Sequence, residues 1–480
     1  HHEREQRARE RRFEEEQRKR YRLQARNSEP RVIKLIWQPS AQTEGCFLFN
    51  LKLRNKRSAH LKLLSLLHMT QTLTPPIQKK RLLSLDILRG ITVAGMILVN
   101  NPGSWSHIYA PLRHAAWNGC TPTDLVFPFF VFCMGVAMYI SHSKSNFAFN
   151  GDTARKIIMR GLLIVLIGWS LSWYGMALRQ FIKGADFVTA LWTYPIANIR
   201  YLGVFPRLGI VSMLGGLLLL AFKPKRILWV SGALMLIYCV LQSVTNSFEL
   251  TAQNMESIVD MKILGDDHIY HMRNAAGERI GFDPEGLLST IPCIAHVLIG
   301  AWMGKIIMTE KELNGKLTKT LLAGALMMVL GFCLDYAYPI NKAMWSASYV
   351  LVTCGLASSI LGILTWILDI RLPQLQEVKP ATACQKVHHA VANNWYKFFE
   401  TFGVNPLFIF CLSTWFVVTM AQVKFTFNEV TYNVMGFWYK VCLVPVFGDK
   451  GGSLVSALSL VLLMWAIGYV LYRKKIYIKL

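Results

Sequence analysis

Charge is what this chain has least of. Only 17% of its 480 residues are Asp, Glu, Lys or Arg, against 53% hydrophobic, and the mean hydropathy is +0.33. Soluble domains carry about 25% charged residues, so a water-soluble globule is excluded and an integral membrane protein is expected. Negative charge is the scarcer sign, with 28 Asp and Glu against 52 Lys and Arg and a net charge of +24. That excess does not imply a nucleic-acid partner. The basic residues sit in short runs at the ends of apolar spans, KKR (79–81), KPKR (223–226) and RKKIYIK (473–479), which is the positive-inside pattern of a polytopic protein. The ten cysteines form no CxxC pair and no ligand spacing, and Cys133, Cys239, Cys354 and Cys411 fall inside apolar spans. Neither a disulfide framework nor a zinc site is expected. A metal cluster, a phosphate-binding glycine loop, a serine-nucleophile elbow and a cleavable signal peptide are all missing from the sequence.

What is present is a series of apolar windows of about the 20 residues that a bilayer crossing requires. They fall near 85–101, 123–142, 157–178, 202–222, 227–244, 287–308, 317–335, 347–369, 402–422 and 452–472. The expected fold is therefore all-α, a polytopic bundle of about ten transmembrane helices. An even number puts both termini on one side, and KKR before the first span with RKK after the last places that side in the cytoplasm. The loop 245–286, with eight acidic residues against three basic, then lies outside. The weakly apolar piece 432–447, broken by Pro445, is expected to be interfacial or re-entrant. No internal twofold repeat is visible, which argues against a carrier. The outside loops contain no N-glycosylation sequon, favouring a bacterial cytoplasmic membrane over a glycosylated organelle.

Residues 1–68 differ in kind. They carry 17 Lys and Arg against 8 Asp and Glu, contain no span, and precede the first methionine, Met69. They are read as a tag, a relic or translated upstream sequence, with 69–480 as the membrane domain. The rival reading is a basic tail lying on anionic lipid.

The stretch Arg81–Tyr139 carries most of the chemistry. Its two apolar spans flank a polar loop with Asn100, Asn101, His107, Arg113, His114, Trp117 and Asn118. Ionisable groups at membrane depth are costly and by default mark function. His114 can exchange a proton near neutral pH or attack an acyl group; the plainer alternative is a solvated loop histidine, which is preferred for His107. Asn100 either caps the first helix or donates to a developing oxyanion. Asp124 either interacts with its helix dipole or orients the histidine. Asp86 and Arg89, three apart on one helix face, form an anchoring ion pair or meet a phosphate-bearing ligand. Arg207 needs a partner, protein or ligand. Asp283 and Glu285 flank Pro284 at a helix start and suit either the dipole or a cationic amino group. Asn341, Lys342 and Trp345 mark another outer helix start, and Asn405 before Pro406 marks a break.

Taken together, RLLSLDILRG, Val99-Asn100, HAAWNG (114–119), DLVFPFFVFCMG (124–135), RLG (207–209), FDPEGLLSTI (282–291), NKAMWSASYV (341–350) and GVN before Pro406 resemble the heparan-alpha-glucosaminide N-acetyltransferase family of transmembrane acyltransferases. HxxWNG followed by DLVFPxFVFxMG is the specific part. The resemblance implies an acetyl group taken from cytosolic acetyl-CoA and delivered across the membrane to an amino sugar, without a metal. It maps the family's active-site histidine onto His114 and its asparagine onto Asn100, with Asp124 as third catalytic candidate. Asp86, Arg89, Arg207 and Asn405 are assigned to acetyl-CoA, and Trp117, Asn118, Asp283, Glu285, Asn341 and Trp345 to the acceptor. Residues 1–68 look nothing like the long lumenal domain of the lysosomal enzyme, so heparan glucosamine is not assumed as acceptor, and a cell-envelope or scavenged amino sugar is the alternative for a bacterial member. A non-catalytic carrier of a small metabolite and an O-acyltransferase with a longer acyl donor are the alternatives. Oligomeric state, a homodimer included, is left open.

Overall fold

The computed structural model describes residues 82–372 and 383–478, so the expectation about residues 1–68 lies outside them. The regular structure of the described chain is helical except for two small antiparallel hairpins between helices. One pairs β1 (His271–Arg273) with β2 (Arg279–Gly281), the other β3 (Lys424–Phe427) with β4 (Val430–Asn433). Among the described residues, eight helical segments are long and apolar enough to cross a bilayer, and a bent pair forms a ninth. The helices are α1 (Leu83–Asn100), α2 (Pro122–Ser143), α3 (Gly151–Ile182), α4 (Val204–Val244), the short α5 (Met255–Leu264), α6 (Thr290–Thr309), α7 (Leu313–Asp335), α8 (Ala347–Leu364), α9 (Ala383–Val404), α10 (Pro406–Gln422) and α11 (Val444–Arg473). A π-helical stretch, Thr365–Arg371, extends α8.

The 41-residue α4 is two spans. Lys223, at φ 57° and ψ 159°, breaks it just before Pro224. Arg207 lies over the Trp345 ring, 4.6 Å away, while the Tyr238 hydroxyl donates to the carbonyl of the neighbouring Met344. In a straight helix those two α4 residues would stand roughly 46 Å apart. Both reach one site only if the chain reverses at the KPKR turn. The ninth span is bent by 77° between α9 and α10, where Pro406 lacks the amide proton that would continue the helix. The helical piece from Val434 up to Gly448 (φ 67°) is about 14 residues, or ~21 Å, too short to cross a core of ~30 Å. Counting α4 twice and α9–α10 once gives the ten spans read from hydropathy.

Lipid offers no hydrophobic drive for helix association, so close packing must supply it. Four helix pairs meet through glycines. A Cβ on Gly135 of α2 would fall on the Val297 carbonyl oxygen of α6, and one on Gly300 of α6 would fall on the Phe132 carbonyl of α2. Gly90 and Gly403 seat α1 against α9 in the same reciprocal way, as do Gly161 with Gly209 (α3, α4) and Gly324 with Gly355 (α7, α8). The core fills the space around these contacts, with Leu88, Ile97, Phe132, Val297 and Leu361 fully buried.

A cap of loop, hairpin and α5 covers the end of the bundle where α2 and α8 begin. Its buried side is polar. Asn254 caps α5 by accepting from Glu256 N at 2.9 Å, the Glu256 carboxyl lies in hydrogen-bonding contact with the Tyr238 hydroxyl, and Asp260 accepts from Leu287 N at 2.9 Å. The second carboxyl oxygens of Glu256 and Asp260 have no partner. Burial pushes the Glu256 carboxyl up to about 8, aided by the Asp260 charge, and pushes Asp260 up to about 7.

Gly135→Ala drives a methyl into backbone that cannot yield, costing about 1–3 kcal/mol as overpacking does; the thermal unfolding midpoint in detergent should fall, whereas Gly232→Ala, where a Cβ meets open space, should not lower it through a clash. The cap acids bind protons more tightly folded than unfolded. Unfolded, they ionise near the ordinary carboxylate values of about 4. Between there and pH 7–8 the folded state holds more protons, so stability falls as pH rises through that window. Unfolding midpoints taken from pH 5 to 9 should decline across it, and Glu256→Gln should flatten the decline.

Candidate active site

The site is built on the first turn of α2. Pro122 takes the first helical position, where its missing amide proton costs nothing, and Asp124 stands two residues on. The Asp124 carboxylate is 1% exposed. Its Oδ2 accepts from Thr121 N (3.1 Å), Thr121 Oγ1 (3.0 Å) and Ala115 N (3.1 Å), tying the incoming loop to the helix start. Its Oδ1 lies 2.6 Å from His114 Nδ1. The helix N-terminus supplies the partial positive charge that a buried carboxylate needs. With Nδ1–H directed at Asp124, the lone pair of the imidazole is at Nε2, on a side chain 40% exposed. That is the arrangement by which an orienting acid prepares a base or nucleophile.

A second strand of loop steadies the first. Gly119 N donates to Ile340 O at 2.6 Å, with Gly119 at φ 105°, a conformation that glycine adopts without penalty. Asn341 donates to Asn118 Oδ1 at 3.1 Å and accepts from Met344 N at 3.0 Å. Lys342, next in the chain, brings Nζ to 3.3 Å from His114 Nδ1 and 3.4 Å from Asp124 Oδ1. Trp117 donates to Phe248 O at 2.9 Å and packs edge-on to Phe282 at 5.3 Å, joining the His114 loop to the cap. Cys120 is the nearby thiol, and burial, with the Asp124 charge, pushes it up to about 12. It is a neutral thiol and a poor nucleophile.

Several residues expected at the acceptor are taken up by protein. Trp345 is 1% exposed and surrounded by Phe127, Tyr349, His296 and the Arg207 guanidinium. It supports the site from beneath, and Tyr349 beside it donates to Asp124 O at 2.6 Å. Asn341 is fully buried in its turn. The pair Asp283 and Glu285 is filled by Arg200, which donates to both carboxylates, through Nε to Asp283 Oδ2 at 2.8 Å. Burial works against the Arg200 charge, and the Glu285 and Asp283 carboxylates outweigh it and raise it above its ordinary value. Burial would likewise raise Glu285, yet the Arg200 and Arg207 charges hold it below the carboxylate range. The cation expected as a substrate amine is therefore, in this structure, an arginine of the chain. Trp117 and Asn118 remain beside the histidine.

The residues assigned to the donor divide between the two ends. Asp86 and Arg89 pair at 3.2 Å near the start of α1, and Asp86 packs against Gly403. Asn405 holds the chain end, donating to Ile476 O and accepting from Ile478 N, both at 2.9 Å. Arg160 and His142 lie within electrostatic reach of this group. Arg207 does not join it. It is fully buried near the His114 end, donating to the carbonyls of Pro284 (2.6 Å) and Ser289, so the partner it required is backbone. Asn100 closes α1 with its side chain exposed, and no described hydrogen bond joins it to His114. His107 contacts Ser104 and Asp449 instead, away from the Asp124 group. Arg200 and Tyr349 carried no local signal in the sequence, and Lys342 showed only as a cation beside a helix start.

Residues 81–336 match the family described as heparan-alpha-glucosaminide N-acetyltransferase, catalytic. The chain is 26% identical over 351 residues to the heparan-alpha-glucosaminide N-acetyltransferase of Homo sapiens, covering 61% of this chain and 49% of that protein. It is 27% identical over 355 residues to the protein of the same name from Mus musculus, covering 61% and 50%. The chain thus spans about half the length of the curated relatives it matches. Since the family match takes in more than half of the chain, from the first span through the His114 loop to the end of α7, the protein belongs to the heparan-alpha-glucosaminide N-acetyltransferase family.

Proposed function

We propose that this chain is a transmembrane acetyltransferase that moves an acetyl group from acetyl-CoA to the amino group of a glucosamine-type sugar. The observation that carries the reading is the 2.6 Å bond between His114 Nδ1 and buried Asp124, which leaves Nε2 free at a half-exposed position. The matched relatives are N-acetyltransferases by name, and the amine acceptor follows from them.

In one route Nε2 takes a proton from the acceptor amine as its nitrogen attacks the thioester carbonyl. The carbon–sulfur bond then breaks, and the thiolate of CoA leaves and is protonated. In the other, Nε2 itself attacks, CoA leaves, and the acetyl-imidazole is cleaved by the amine, which loses its proton as the ring is released. Asp124 fixes the tautomer in both. Asn100, exposed at the end of α1, is the amide available to the carbonyl oxygen.

The two ends of the bundle suit the two substrates. We assign the end with Asp86, Arg89, Arg160, the KPKR turn and the basic C-terminal segment to the cytoplasm, by the positive-inside pattern. There Arg89 and Arg160 meet the phosphates of acetyl-CoA, whose charge keeps it from crossing lipid. The His114 end, with Trp117 and Asn118, faces the acceptor outside, in a bacterial cytoplasmic membrane.

Incubation with isotopically labelled acetyl-CoA, followed by peptide mass spectrometry and assay of CoA release with glucosamine, tests the reading. Wild type should release CoA in a glucosamine-dependent manner, and His114→Ala should abolish it. Asp124→Asn should lower the rate about 100- to 10,000-fold, the range of a positioned general base. Activity should rise from acid toward neutral pH, because a protonated ring has no lone pair at Nε2. Label on His114 that glucosamine removes would select the acetyl-imidazole route. Substrate flux across vesicles without CoA release would instead mark a carrier, and preference for longer acyl donors an O-acyltransferase.

A further inference from the structure

Lys342 comes from the turn ahead of α8, beyond the residues matched to the family. Its Nζ stands 3.4 Å from Asp124 Oδ1, the same oxygen that His114 Nδ1 approaches at 2.6 Å, and 3.3 Å from Nδ1 itself. An ammonium only donates. With Nδ1–H already directed at Asp124, the lysine can serve only the carboxylate, so two donors converge on one oxygen while Oδ2 is occupied by Thr121 and Ala115. The Lys342 side chain is 24% exposed and Asp124 1%, so their attraction is shielded little by solvent.

The charges around the imidazole give this placement its meaning. A carboxylate beside a histidine favours the protonated ring, and a cation beside it opposes it. Here one of each lies within hydrogen-bonding range. The loop adds Arg113, exposed and adjacent in the chain, and the neutral Cys120 thiol. The segment that holds Trp117 adds exposed Glu249, and the cap adds Glu285, which is bonded to Arg200 and within reach of Lys342. Of these described groups Asp124 is the carboxylate bonded to the ring and Lys342 the cation at its side.

We propose that Lys342 is a positioning residue that keeps the His114 ring uncharged. It binds Asp124 into a neutral pair and places a positive charge beside the ring, so Asp124 orients the imidazole without drawing a second proton onto Nε2. This deepens the reading of His114 as the reacting group, and it is tested on the histidine itself.

Diethyl pyrocarbonate acylates the neutral form of imidazole. Its rate at His114 in the full chain, measured by peptide mass spectrometry from pH 4.5 to 8 and compared at each pH between wild type and variant, reports how much ring is uncharged. In Lys342→Met the midpoint of labelling should move up by about one pH unit, roughly tenfold slower labelling in the acid limb. Lys342→Arg should superimpose on wild type. A Lys342→Met profile that matches wild type would overturn the proposal, as would an Arg variant that shifts like Met. If Met prevents folding, Lys342→Gln is read by the same criterion. The acid limb of glucosamine-dependent CoA release should move in parallel. A labelling shift in a chain that releases no CoA would uphold the role of Lys342 while removing the acetyltransferase reading, so the two failures are distinct.

Discussion

The Asp124 carboxylate is the point on which the site depends. Buried at the start of α2, it receives Thr121, Ala115, His114 and Lys342 on two oxygens. A charge so enclosed is tolerable only with several donors and a helix N-terminus around it. The same bonds that satisfy it fix the loop, the imidazole tautomer and the turn before α8. Helix start, loop conformation and chemistry are therefore one local solution to the cost of a buried charge.

The bundle beneath it is assembled by a different principle. Where lipid removes the hydrophobic incentive to associate, helices gain from dispersion at short range, and glycine is what lets backbones approach. The reciprocal pairs Gly135–Gly300, Gly90–Gly403, Gly161–Gly209 and Gly324–Gly355 bring their helices together this way. Ion-paired clusters then lie at two separate places in the bundle. One holds the Asp124 group and the Arg200–Asp283–Glu285 cluster, and the other holds Asp86, Arg89 and Asn405. The cap ties itself to the first through Arg207, whose guanidinium joins the carbonyls of Pro284 and Ser289 to the Trp345 ring. That arginine shows how a charge at membrane depth serves architecture when backbone carbonyls supply its partners.

Much of this was legible in the residues. The spans follow from apolar windows, including the reversal at KPKR and the break before Pro406, since hydropathy and proline chemistry are local properties. His114 and Asp124 stand ten residues apart on either side of a helix start, close enough for their pairing to be anticipated. Trp345 and Asn341 are buried in protein contacts, which the residues do not reveal, because an aromatic and an amide near a helix start look alike whether they face water or pack inward. The acid pair at 283 and 285 suggested a substrate cation, and its actual partner, Arg200, is 83 residues away.

The sequence alone therefore determined the membrane class and the apolar helical segments that build the bundle. These depend on composition and on neighbours within a few turns of helix. Only the tertiary structure decided which charges are spoken for. Lys342 reaches His114 across 228 positions, and Arg207 reaches Ser289 across 82. Such pairs leave no periodic trace in the chain, because their formation depends on which helices the glycines allow to touch.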